Sequence, residues 1–252
     1  MRDMQKIELS ALAPGRRRGA AWLAGAALLS LAGCLAYTGP SEDLGTQRFG
    51  GSIGGGTGHV VVVNGVPGVL DVYVDGNLQT GTVAGRSVAT PISVPAGTRS
   101  IELRPTGQKI GGSTVVVAIV DQTQTILAAV TVGSTLQTEL IPDSSSTSVP
   151  GVSRVRVLNL ASNVPGLSVW NTRPDAPAPA LLVSPLLSNS ISRFVQGSPG
   201  SWEFRVWDAT SPVTTWDGAV TRLVFDVASG EVRTVVIFDN GGGLRLLAVP
   251  AN

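Results

Sequence analysis

The chain has 252 residues, with 18 Lys and Arg against 17 Asp and Glu, one His and one Cys. A formal charge of +1 over that length lacks the basic footprint of a nucleic-acid-binding protein. One cysteine excludes an intrachain disulfide framework, and one histidine leaves little material for a metal centre or for acid–base catalysis.

Residues 1–18 are polar and basic and end in Arg16-Arg17-Arg18, and residues 19–33 are small and apolar. A positive segment followed by an apolar run too short to span a bilayer has the form of a secretory signal. That run ends in Leu31-Ala32-Gly33-Cys34, which resembles the bacterial lipoprotein box. There a peptidase cleaves before a cysteine whose thiol receives diacylglycerol. The resemblance implies a lipoprotein signal peptide over 1–33 and lipidation at Cys34 by covalent diacylglycerol and an acyl chain such as palmitate. No other cofactor is expected. Each buried methylene contributes about 0.8 kcal/mol, so firm attachment takes more than one chain. Leu35 follows the cysteine; on the same resemblance, the absence of Asp there favours the outer membrane, on its periplasmic or surface face. The competing readings are a buried free thiol and a chance cysteine in an ordinary signal. Gly19-Ala20-Ala21 matches the twin-arginine export route poorly. Removing the five basic and two acidic residues of 1–33 leaves 13 basic and 15 acidic, a net charge of −2.

Residues 34–57 hold the cysteine and a tether rich in Gly, Ser and Thr, which cannot bury enough apolar surface to offset its ordering entropy. As a phosphate-cradling loop it lacks both the Lys-Ser/Thr ending and a preceding strand.

Residues 58–142 read as strands. His59 to Asn64 is a β-branched run closed by a turn at Gly65-Val66-Pro67-Gly68. Leu70 to Asp75 alternates and ends in Asp75-Gly76, a strong hairpin dipeptide. Ser87 to Val94 is an edge or bulged strand because of Pro91. Arg99–Arg104, Val115–Val120, Ile126–Val132 and Leu136–Ile141 complete the set. Turns every 8–12 residues, with no long 3.6-residue period, indicate an all-β sandwich or barrel.

Residues 143–153 form a polar linker, and the pattern then returns over 154–252. Val63-Asn64 and Val66-Pro67-Gly68 reappear as Leu158-Asn159 and Val164-Pro165-Gly166. Pro95-Ala96-Gly97, with the alternating strand after it, reappears as Ser198-Pro199-Gly200 and the strand from Trp202. Two tandem copies offset by roughly 98 residues account for the length better than one large fold.

The string Val69-Leu70-Asp71-Val72-Tyr73-Val74-Asp75-Gly76, followed by Val94-Pro95-Ala96-Gly97-Thr98 before an alternating strand, resembles the bacterial family called domain of unknown function 4397. The resemblance runs over 58–142 and is weaker over 154–250, where Asn171-Thr172-Arg173-Pro174 replaces the Asp-Gly hairpin. It implies immunoglobulin-like or transthyretin-like β-sandwiches in exported, often lipid-anchored proteins, and implies no activity. The PEGA surface-domain family shares the Val-Asp-Gly and Pro-x-Gly habits and is the alternative.

Few residues offer chemistry. His59, at the start of a strand beside the tether, has no second ligand or orienting carboxylate in its pattern, and no Gly-x-Ser-x-Gly elbow accompanies it. No catalytic residue is assigned. Asp71 and Asp75 share a strand face and are weak calcium candidates, though the second copy places Ser168 and Thr172 there and the bland reading is solvation and turn chemistry. Aromatic residues concentrate in the second copy. On 202–207, Trp202, Phe204 and Val206 share one face, which reads as core, while Glu203, Arg205 and Trp207 share the other. Trp207 and Trp216, the latter in a turn, are candidate exposed partner-binding residues, able to stack on sugar rings or anchor a protein. Capping of the core or of the seam between the two domains is the competing reading. These observations lead to a non-enzymatic, lipid-anchored cell-envelope protein. It is expected to contact the membrane through its anchor, to bind an envelope protein or polysaccharide, and to bind no nucleic acid. A structural spacer or a carbohydrate-binding surface module is the alternative.

Overall fold

The computed structural model describes residues 55–79, 81–141, 149–211, 213 and 215–251. The signal peptide, Cys34, nearly all of the tether and most of the linker therefore lie outside the described residues.

The first copy contributes β1 (Thr57–Asn64), β2 (Leu70–Val74), β3 (Asn77–Leu78), β4 (Ser87–Val88), β5 (Ile92–Pro95), β6 (Gly97–Pro105), β7 (Ser113–Ile119), β8 (Gln124–Val132) and β9 (Thr135–Ile141). The second contributes β10 (Ser153–Asn159), β11 (Leu167–Arg173), β12 (Ala176–Leu186), β13 (Ser190–Ile191), β14 (Val195–Gly197), β15 (Gly200–Asp208), β16 (Thr221–Val227), β17 (Val232–Asn240) and β18 (Gly243–Ala248). A three-residue 3-10 turn, Trp216–Gly218, is the only helical piece among the described residues.

Each copy is a two-sheet sandwich, and the two have one topology. In the first, β4-β1-β8-β9, with β5 also on β1, faces β3-β2-β6-β7; in the second, β13-β10-β17-β18, with β14 on β10, faces β12-β11-β15-β16. The central strand of each copy pairs in parallel with a strand from the far end of that copy, β1 with β8 and β10 with β17, while the remaining pairings are antiparallel. Pro91 falls between β4 and β5, which both pair antiparallel to β1, at Val63 with Val88 and at Val60 with Ile92. A residue without an N–H interrupts the edge there and does not end it.

Val60 to Val63 explain how the copies join. All four are fully buried, which requires cover on both faces of the strand. Val60 and Val62 enter the first copy's own core with Val72, Ile101, Leu103 and Leu127. Val61 and Val63 turn the other way, into a cluster shared with Leu158, Leu160, Val236 and Phe238 of the second copy. The β1 and β10 sheets thus pack against each other, leaving the β2/β6 and β11/β15 sheets outermost in a stack of four layers. A fully buried side chain of this kind contributes roughly 1.5–3 kcal/mol, so the shared layer binds the two copies into one compact unit.

A buried asparagine recurs at the end of each central strand. The Asn64 amide donates to the carbonyls of Gly68, Val83 and Ala84 at 2.8, 3.1 and 3.0 Å and accepts from the Val66 N–H at 3.0 Å. Asn159 donates to the Leu186 carbonyl and accepts from the Ala161 N–H, both at 3.0 Å. Each side chain fixes the turn that sends the chain from one sheet to the other.

The Asp75-Gly76 hairpin forms as read, with φ of 49° and 79° and Val74 opposite Asn77. The second copy keeps a turn at the same place without the dipeptide: Pro174-Asp175 joins β11 to β12 with Arg173 opposite Ala176.

Candidate functional site: the outer face of the second copy

Strand parity places Trp202, Phe204 and Val206 in the core, where Trp202 stacks on Phe204 and Phe204 on Phe225 at centroid distances of 6.2 and 5.9 Å. The Trp202 indole N–H donates to the Ser198 carbonyl at 3.0 Å. Glu203, Arg205 and Trp207 therefore face outward. Cross-strand register puts Leu181, Trp170, Arg205 and Arg222 in one row across the sheet, with Glu203 beside Val224 in the next.

Trp207 corrects the expectation of exposure: it is 3% exposed. The loop between β15 and β16 folds back over the outer face and sets Trp216 against it, 5.4 Å from the Trp207 ring, while Trp170 meets Trp207 edge-on at 6.4 Å. Parity predicts which face of the strand Trp207 occupies but not the loop that covers it. Trp216 itself is half-buried.

Arg205 holds that loop. Its Nε pairs with Glu203 Oε1 at 2.8 Å, its Nη1 donates to the Trp216 carbonyl at 2.6 Å and to Asp217 Oδ1 at 3.0 Å, and its guanidinium lies 4.4 Å over the Trp216 ring. Burial works to lower its pKa, but the hydrogen bonds it donates to Glu203 and Asp217 outweigh it and hold the guanidinium above its ordinary value. Asp217 is almost fully exposed, so its own ion pair adds little; the carbonyl bond and the ring stacking matter more. The result is a tryptophan clamped in one orientation, with exposed Leu181 and Val224 (51% and 55%) on the same sheet face.

The first copy carries a smaller version. Arg104 pairs with Glu102 through two bonds, of 2.7 and 3.0 Å, and lies 4.3 Å over Tyr73, whose cross-strand neighbour is the exposed Leu78. The hydrogen bond to Glu102 raises the Arg104 pKa. The repeated element is Glu-x-Arg beside an aromatic ring; among the described residues no equivalent of Trp216 lies above it.

The two calcium candidates do not converge. Thr106 Oγ1 donates to Asp71 Oδ1 at 2.8 Å, whereas Asp75, four residues along and about 13 Å away in extended chain, accepts from the Ser100 N–H and from Arg99 at 3.0 and 3.1 Å. The Ser100 bond, aided by Arg99, holds the Asp75 carboxyl below its ordinary value. His59 is half-buried in β1, opposite Ser93 and Gln124, and its Nδ1 has no hydrogen-bond partner. Among the described residues no three acidic, His or Cys side chains gather where a metal ion would sit.

Architecture and face together define the class: an all-β protein of two tandem sandwiches with an aromatic outer face. Residues 58–170 match the family described as Domain of unknown function (DUF4397), a stretch that covers the first copy and runs on through β10 into β11. The chain resembles that family over this stretch. No curated protein matches. Among solved structures, the chain is similar to the Bacillus anthracis TIE protein (12% identity, TM-score 0.24, 74% of this chain and 34% of that one). It is also similar to a candidate cell adhesion protein from Bacteroides uniformis (10%, 0.24, 80% and 98%). A third is CBMbc, a family CBM26 module from Eubacterium rectale Amy13K solved with maltoheptaose (9%, 0.23, 76% and 96%). The chain spans about a third of the TIE protein and nearly all of the other two. At these scores the likenesses carry no functional weight.

Proposed function

We propose that this is a lipid-anchored cell-envelope protein that binds rather than catalyses, held at the outer membrane through diacylglycerol on Cys34. Its outer β11/β15 face is offered to a hydroxyl-rich envelope polymer. The observation that carries the binding reading is Trp216, half-buried and locked over the sheet by Arg205. A ring fixed before binding loses little entropy when a sugar stacks on it. Glu203 neutralises Arg205 in the same face, which favours an uncharged ligand over an acidic one. The absence of catalysis is supported by the chain's single histidine, whose buried Nδ1 has no partner to orient it. The anchor is supported by Leu31-Ala32-Gly33-Cys34.

Two experiments test the two halves. A Cys34→Ala variant is expected to leave the membrane fraction; retention there overturns the anchor. Envelope polysaccharide is expected to retain the full chain and to lose it on Trp216→Ala; equal retention of both overturns the binding face. The spacer reading keeps one specific support, the core shared by the two copies, which makes a stiff body.

A further inference from the structure

Beyond the ends of β1 and β10, the two copies leave a cleft of about 290 Å3 between them. Its walls are apolar at Val66, Val130 and Leu160 and charged at Arg86 and Asp239. The first copy supplies Arg86 and the second Asp239, so the cleft exists only because the copies are fused.

Asp239 is anchored. It is 7% exposed, and its Oδ2 accepts from the Ser162 N–H at 3.0 Å and the Ser162 hydroxyl at 2.8 Å. Its Oδ1 receives only a long 3.4 Å contact from the Asn163 N–H and keeps acceptor capacity.

Arg86 is the less expected residue. It has a φ of 53°, in the left-handed region, and follows Gly85, where an added Cβ would run into the Pro67 carbonyl. The equivalent residue of the second copy is Asn189, with a φ of 55°. Each precedes the short strand that pairs with the end of its copy's central strand, β4 on β1 and β13 on β10. Asn tolerates this conformation far better than most side chains, whereas Arg gains nothing from it. The turn therefore accounts for Asn189 and leaves Arg86 without a structural reason. The Arg86 guanidinium forms no ion pair or hydrogen bond with any described residue. A cation held at backbone cost and without a charged partner among the described residues thus lines the same cleft as an anchored carboxylate.

We propose that the cleft binds a small zwitterion, a free α-amino acid, with its carboxylate on Arg86, its ammonium on Asp239 Oδ1 and its side chain against Leu160 and Val66. One fixed charge of each sign disfavours a simple anion or a simple cation, and the volume limits the ligand to a small one.

The test is calorimetric titration of the full chain in detergent with glycine and L-alanine, with acetate and methylamine as half-ligands. Alanine is expected to bind saturably, and the half-ligands at least about tenfold more weakly. Arg86→Asn installs the residue the second copy already uses. It is expected to keep or raise the melting temperature while weakening alanine by about tenfold or more, so that a loss of binding is not a loss of fold. Asp239→Asn is expected to weaken alanine as well. Absence of alanine binding, unchanged binding by Arg86→Asn, or acetate binding as tight as alanine overturns the proposal.

Discussion

The Arg205 guanidinium donates to the Trp216 carbonyl at 2.6 Å and lies 4.4 Å over the same residue's ring. One side chain thereby fixes both the backbone and the indole of a loop residue, and the loop in turn covers Trp207. Removing Arg205 is expected to cost about 1.5–3 kcal/mol, the range for hydrogen bonds to a charged group, and to expose Trp207. Arg205→Ala should show a red-shifted tryptophan emission and a lower Tm, and Arg205→Lys should rescue only part of either because it lacks the planar fork. Unchanged emission in Arg205→Ala would place the hold on the loop elsewhere.

The shared layer makes the copies fold together. Phe238 is fully buried in it, and Phe238→Ala is expected to cost about 3–5 kcal/mol. Since the seam belongs to both sandwiches, denaturant should still give one transition at a lower midpoint. Two resolved transitions in the parent protein would show that the copies unfold independently.

Asn64 satisfies three carbonyls and one N–H from a fully buried position. Asn64→Ala strands these groups and is expected to cost about 1–3 kcal/mol. Asn64→Asp keeps an acceptor for Val66 but loses the donors and turns a charge toward carbonyls, so it should be worse than Ala. Thermal melts of the two variants give the order, and the reverse order would contradict this role.

Asp75 and Asp208 both titrate below the ordinary carboxylate value of 3.8, Asp75 chiefly through the Ser100 N–H and Asp208 through the Thr210 hydroxyl and N–H. A carboxyl depressed in the folded state binds its proton less readily there than in the unfolded chain. Its stabilisation is complete above 3.8 and is lost as pH falls through the folded value. Melts from pH 6 to pH 2 should show stability falling below about pH 4, less steeply in Asp75→Asn. An identical slope in that variant would remove Asp75 from the account.

Much of the fold is legible in residue order because strands declare themselves locally. The alternation of Leu70 to Asp75, the Asp75-Gly76 turn and the parity of Trp202 to Trp207 all appear as read. The relations between distant segments are not legible. Val60 to Val63 signal burial on both faces but do not say that Leu158 and Phe238 cover one of them. The repeated Asn64 and Asn159 look like turn residues until their carbonyl partners, up to 27 residues away, are in place. Trp207 is misjudged for the same reason: exposure depends on a loop whose sequence carries no mark of where it folds.

The most direct test of the binding face is tryptophan fluorescence of the full chain titrated with a panel of neutral polysaccharides, with Trp216→Phe beside it. A ligand stacking on the clamped indole should quench or shift the emission saturably, and the variant should lose that component while keeping its Tm. No change with any glycan, or the same change in Trp216→Phe, would contradict the account.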